Sequence, residues 1–137
     1  MTTRHLVDPE LVAILDMIPA ATLSTENIKQ IRAMSSRAGL DMTQCSEHSV
    51  PASEGSPDVR LLVYRPSGEQ KSLPVLLWLH GGGYVMGSAD AEDAMVKSIV
   101  SAVGCVTVSV DYRLAPETTY PGAVEDCYAA LKWVSTH

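Results

Sequence analysis

The chain has 137 residues, of which 46% are hydrophobic and 19% charged, and its formal net charge is −6. That length suits one domain able to remove roughly two thirds of its unfolded surface from water. The balance of apolar to charged residues excludes a disordered chain, and an acidic surface argues against nucleic acid and anionic membranes as partners. No apolar run reaches the roughly 18 residues of a membrane span, so none is expected. No basic and apolar leader opens the chain, so the expectation is a cytoplasmic protein without a signal peptide. Cys45, Cys105 and Cys127 are odd in number and match no metal-ligand spacing. They read as free, buried or half-buried thiols in a reducing compartment, with no metal.

Asp8, Pro9 and Glu10 start the first helix: Asp caps, Pro fits the first helical position and Glu suits the positive end. Leu11, Ile14, Leu15 and Ile18 follow at spacings that give one apolar face, and Pro19 stops it. Ser24 or Thr25 caps a second helix, with Ile28, Ile31 and Met34 as its stripe and Gly39 at its end. Residues 1–43 therefore form a two-helix segment ahead of any strand, either packed on the core as an extension or acting as a cap over a site.

Residues 44–137 have a different texture. A strand ends near Ser49 and Val50, residues 53–57 turn, and Val59–Tyr64 alternates as a second strand closed by Pro66, Ser67 and Gly68. The pair reads as a hairpin, and residues 68–72 turn into the next run. Val75–Leu79 is apolar without a break, which predicts a strand buried on both faces. It is followed by His80, Gly81, Gly82, Gly83 and Tyr84. A helix is predicted over residues 89–103, opened by Asp90, Glu92 and Asp93, with Ala94, Met95, Ile99, Ala102 and Val103 as its apolar set and Gly104 as its stop. Residues 105–110 are rich in β-branched residues and read as a strand. Residues 111–120 form a loop. Pro121 opens a last helix with Val124, Tyr128, Leu131 and Val134 on one side. After the hairpin the order is βαβα, which implies a parallel sheet with helices on both faces. The fold class is α/β.

The glycine loop has two chemical readings. A dinucleotide fingerprint fails on spacing, since Gly81, Gly83 and Gly87 make G-x-G-x-x-x-G. Acidic residues at the following helix start also oppose a pyrophosphate, although Asp111 ends the next strand where a ribose contact would sit. No Gly-Lys-Ser/Thr follows, and no organic cofactor is implied. The other reading is an oxyanion hole, in which bare backbone N–H groups stabilise the charge that develops on a carbonyl oxygen during acyl transfer.

HGGGY at residues 80–84, DYRLAPE at residues 111–117 and YPGAVED at residues 120–126 together resemble the hormone-sensitive-lipase-like family of α/β-hydrolase esterases. The resemblance runs from about Val59 to the last residue, and the leading helices look like the start of that family's cap. It implies that Gly82 and Gly83 supply oxyanion amides and that His80, Gly81 and Tyr84 shape the loop. Asp111, Tyr112, Arg113 and Glu117 would form a polar structural cluster beside it. His80 itself reads as a hydrogen-bonded loop histidine with no proton to transfer, and Arg113 as part of a local ion-pair network. Tyr120, where the family usually has Phe, and Thr118 and Thr119, where a His is common, depart mildly from the pattern. The implied fold is a partial α/β-hydrolase sheet with strands in the spatial order first, second, fourth, third. The implied activity is hydrolysis of carboxylic esters with short to medium acyl chains.

The same family needs a Gly-x-Ser-x-Gly nucleophile followed by Asp or Glu and then His, and the sequence contains no such pentapeptide. Ser88, Ser98, Ser101 and Ser109 lack the flanking glycines, and His137 follows no nucleophile. The expectation is an N-terminal half that is inactive alone, because covalent acyl transfer needs its nucleophile. Val75–Leu79 would then lie on an exposed, flat, apolar edge, which predicts self-association or a complementary half as partner. The alternative expectation is a truncated remnant that serves as a binding or assembly module. A nucleotide-binding βαβ unit is the remaining one.

Overall fold

A computed structural model describes residues 3–17, 23–35, 42–68 and 72–137. The helix features expected at Ile18, Pro19 and Gly39, and the side chain of Met34, lie outside the described residues.

The core is a four-stranded sheet in the order β1-β2-β4-β3, as the resemblance implied. β1 (Cys45–Val50) and β2 (Val59–Tyr64) form the antiparallel hairpin; β4 (Val106–Asp111) pairs antiparallel with β2 and parallel with β3 (Val75–Leu79). Alternation along β2 sends Val59, Leu61 and Val63 to one face and Leu62 and Tyr64 to the other. The first set meets Val106, Val108 and Val110 of β4 beneath α4 (Gly122–Val134), whose Ala129 and Ala130 bring helix and sheet close. The second set packs against Val96 and Val100 of α3 (Asp93–Val103). Leu61 and Leu62 are fully buried, worth about 2 kcal/mol each. Gly104 takes φ 70° and returns its N–H to the Val100 carbonyl at 2.9 Å, ending α3 where the left-handed backbone requires glycine.

Several expectations are corrected. β3 is not buried on both faces as its apolar run suggested; it is the exposed sheet edge that the resemblance implied, and Val75 and Leu79 are each about half exposed. Among the described residues β3 pairs with β4 alone, which leaves its outer side uncovered. In α4 the stripe is broken: Val134 packs against the core, but Val124, Tyr128 and Leu131 face outward, 49–59% exposed, while Gly122, Asp126, Ala129 and Ala130 are buried. Small residues won the inner face because the helix lies close to the strands. A 3-10 turn at Asp90–Glu92 precedes α3, and two of the acidic residues expected to favour the helix dipole bind elsewhere. In α1 (Pro9–Met17), Leu11, Ile14 and Leu15 are exposed. At α2 (Ile28–Ser35), Ser24 takes the expected capping place one turn ahead of the helix, exchanging hydrogen bonds with Asn27.

Candidate active site

The loop after β3 lies at the carboxyl end of the parallel pair, where α/β sheets place their ligands. Its geometry starts with glycine. Gly82 has φ 123°, and a Cβ there would collide with the Met86 carbonyl; Gly87 has φ 90°, and a Cβ there would meet the Gly81 carbonyl and the His80 ring. These are close backbone approaches that no other residue allows. The Gly82 carbonyl accepts from the amides of Val85 (3.2 Å) and Met86 (3.0 Å), curling the loop over itself. Tyr84 sits at φ 63°, an uncommon backbone state for an aromatic residue, held by its carbonyl accepting from Ala115 N–H at 2.8 Å.

The sequence-derived site residues then take their places. His80 is buried, stacks on the Tyr112 ring with centroids 4.1 Å apart, and has Nδ1 2.8 Å from the Gly81 carbonyl. A carbonyl only accepts, so Nδ1 carries the proton and donates. The Tyr112 hydroxyl donates to the His80 carbonyl at 2.6 Å, and burial raises its pKa above the usual phenol value. Gly81 N–H donates to Glu92 Oε1 at 3.2 Å, while Trp78 Nε1 donates to the other oxygen at 2.5 Å. Among the described residues, neither Gly82 nor Gly83 donates its N–H to a protein acceptor. Both line a cavity of about 350 Å³ with Leu79, Tyr112, Val124 and Cys127. An adjoining apolar cavity of about 340 Å³ lies between Tyr84 and Tyr120. Burial pushes the Cys127 thiol up, and Asp126 adds to the effect.

The residues of 111–117 do not form one cluster. They fan out to separate partners. Asp111 accepts from Ala89 N–H at 3.0 Å and pairs with Arg60 at 3.3 Å, which commits the carboxylate that a ribose would have needed. Tyr112 binds His80. Arg113 binds Asp126, a carboxylate with 1% of its side chain exposed, through Nη2 (2.7 Å), Nε (2.8 Å) and the backbone amide (2.9 Å). Glu117 binds Arg32 of α2. Sequence reasoning missed Asp126, Glu92 and Arg32. The signal for Asp126 was masked, because the stripe of Val124, Tyr128 and Leu131 read as the inner face put it outside; once buried, the carboxylate needs a cationic partner. Arg32 had none, since its partners lie more than fifty residues away.

Residues 76–137 match the family described by the alpha/beta hydrolase fold. The described sheet, its helices and the match agree, and the molecule aligns with bacterial heroin esterase at a TM-score of 0.79 and 37% identity over 99% of this chain. The chain carries part of an alpha/beta-hydrolase fold. A hyperthermophilic esterase from the archaeon Pyrobaculum calidifontis aligns at a TM-score of 0.79 and 32% identity over 96% of the chain and 44% of its own length. Carboxylesterase NlhH of Mycobacterium tuberculosis is 33% identical over 96% of the chain, and esterase LipI of the same organism is 32% identical over 98%. The chain spans 42% and 43% of those two proteins and 45% of the heroin esterase. The fold is therefore a partial alpha/beta hydrolase similar to esterases, as HGGG, DYRLAPE and YPGAVED implied. No helix among the described residues is long and apolar enough to cross a membrane.

Proposed function

We propose that this chain supplies the oxyanion half of a serine carboxylic-ester hydrolase acting on short to medium acyl esters. The observation that carries the reading is the pair of consecutive amides at Gly82 and Gly83, bare among the described residues at the end of a buttressed loop. As a nucleophile attacks an ester carbonyl, charge moves to its oxygen. Donors already fixed at that place stabilise the transition state without reorganising, at about 3 kcal/mol for one such donor. Gly81 cannot share the task because Glu92 takes its N–H. His80 and Tyr112 hold the loop and move no proton. The apolar cavities beside the loop suit a short or medium acyl chain and exclude charged groups. The nucleophile and its His and Asp partners come from outside these residues, and alone the chain turns over no ester.

The test joins the chain to a segment carrying Gly-x-Ser-x-Gly and the two partner residues, with p-nitrophenyl butyrate as substrate. Hydrolysis is expected in the joined protein, with a loss of about a hundredfold in kcat for Gly82→Ala, which keeps the N–H but misplaces both amides by forcing a Cβ against the Met86 carbonyl. Turnover indifferent to that substitution would refute the oxyanion role.

The second reading is a binding or assembly module. It is favoured by one observation: Leu79 of the β3 edge and Val124 of α4 line the same cavity and are both about half exposed. A complementary half or a second copy would cover that face. A chain that binds such a partner but gives no turnover in the joined protein would favour this reading.

A further inference from the structure

α2 lies outside the sheet, yet its buried Ile28 and its arginine both reach the loops of the site. Ile28 is 4% exposed and shares a small cleft with Val85, Ala115 and Pro116. From the next turn, Arg32 Nε donates to the Val85 carbonyl at 2.8 Å and Nη2 to the Ala115 carbonyl at 2.5 Å. Its Nη1 meets both Glu117 oxygens, at 2.9 and 3.0 Å. One planar guanidinium thus spans the glycine loop and the loop after β4, which are already joined by Ala115 N–H and the Tyr84 carbonyl. Only arginine carries donors in a fork wide enough to reach all three acceptors.

We infer that Arg32 is a positioning residue, coupling the docking of α2 to the conformation of residues 82–86. Val85 is the residue whose amide closes the turn on Gly82, so holding its carbonyl fixes the peptide next to that turn. The Gly82 and Gly83 amides are aimed by the same curl. Helix docking and loop order are then linked, and each stabilises the other by the same free energy. α2 is in this account a buttress and not a free lid. The consequence for catalysis rests on the oxyanion reading proposed above; the mechanical coupling does not.

The experiment is amide hydrogen exchange by NMR on the full 137-residue chain, comparing the Val85 and Met86 amides with those of β2 and β4. Arg32→Ala should speed exchange at Val85 and Met86 by about tenfold, the effect of losing one or two charge-assisted hydrogen bonds, with β2 and β4 unchanged. The Gly82 and Gly83 amide resonances should move as well, which a uniform loss of stability would not cause. Arg32→Lys keeps the charge but cannot span the three acceptors, and should restore the resonances only in part. Exchange at Val85 and Met86 within about twofold of wild type in Arg32→Ala, relative to β2 and β4, would overturn the inference. Should Arg32→Ala weaken the whole fold, the same ratio is read in Arg32→Lys, where no change from wild type would overturn it equally. A failed oxyanion reading looks different: the exchange coupling stays while the joined protein hydrolyses no ester.

Discussion

Asp126→Ala should be among the most damaging single changes outside the hydrophobic core. The carboxylate is buried, with 1% side-chain exposure, and accepts from the Arg113 backbone amide and from two nitrogens of its guanidinium. Those bonds hold Arg113 high on the pKa scale, chiefly through the hydrogen bond to Asp126. Deleting the carboxylate leaves an amide without its acceptor, at about 1–3 kcal/mol. It also strips a cation of its partner, about 3–5 kcal/mol when both are fully enclosed. Arg113 is 25% exposed and regains some water, so the expected total is about 3 kcal/mol and not the sum. Asp126→Asn keeps one acceptor for the amide and should cost about 2 kcal/mol. In a urea titration with a slope near 2 kcal/mol/M, Asp126→Ala should lower the midpoint by about 1.5 M with the slope unchanged. The double change Arg113→Ala/Asp126→Ala should cost clearly less than the two single changes added together. A midpoint shift below about 0.3 M for Asp126→Ala would refute the reasoning, as would strict additivity in the double variant.

Further outcomes are expected. Gly82→Ala should lower the thermal midpoint more than Gly83→Ala, because both have positive φ but only Gly82 faces an obstructing carbonyl; equal shifts would contradict the close approach. Cys127 should resist iodoacetamide at neutral pH and react faster only above its ordinary value near 9, since burial favours the thiol. The sign follows: a raised folded pKa favours the native state below about pH 9, and that contribution fades as pH rises through it. Alkylation of Cys127 as rapid as that of a free cysteine at pH 7 would count against the burial. Tyr128→Lys with Leu131→Lys should reduce self-association of the lone chain in static light scattering, because both side chains leave the apolar face open; a wild-type chain that stays monomeric at high concentration would remove the premise.

The hairpin and the βαβα order were legible because the turn residues on either side of Val59–Tyr64 and the glycine stop at Gly104 are local signals, while the spatial order of the strands came from the resemblance. The glycine loop was legible because Gly81, Gly82 and Gly83 follow an apolar strand, and that combination is rare. What failed was long-range. The apolar stripe Val124/Tyr128/Leu131 marked a surface that needs cover, but hydrophobicity does not say which element covers it, and the edge position of Val75–Leu79 was legible only through the resemblance. Asp111, Arg113 and Glu117 were recognised as polar support beside the loop, yet their partners Ala89, Asp126 and Arg32 come from three other elements. Pairing of that kind is set by the packed fold.

On the reading proposed above, the oxyanion loop takes its nucleophile from outside these residues. The most direct test of that reading is ester hydrolysis and labelling by a serine-directed phosphonate on one purified sample whose intact mass is known. The expected result is the 137-residue mass alone, with no p-nitrophenyl ester turnover and no phosphonate adduct. Turnover together with a phosphonate adduct on a serine within the 137 residues would contradict it.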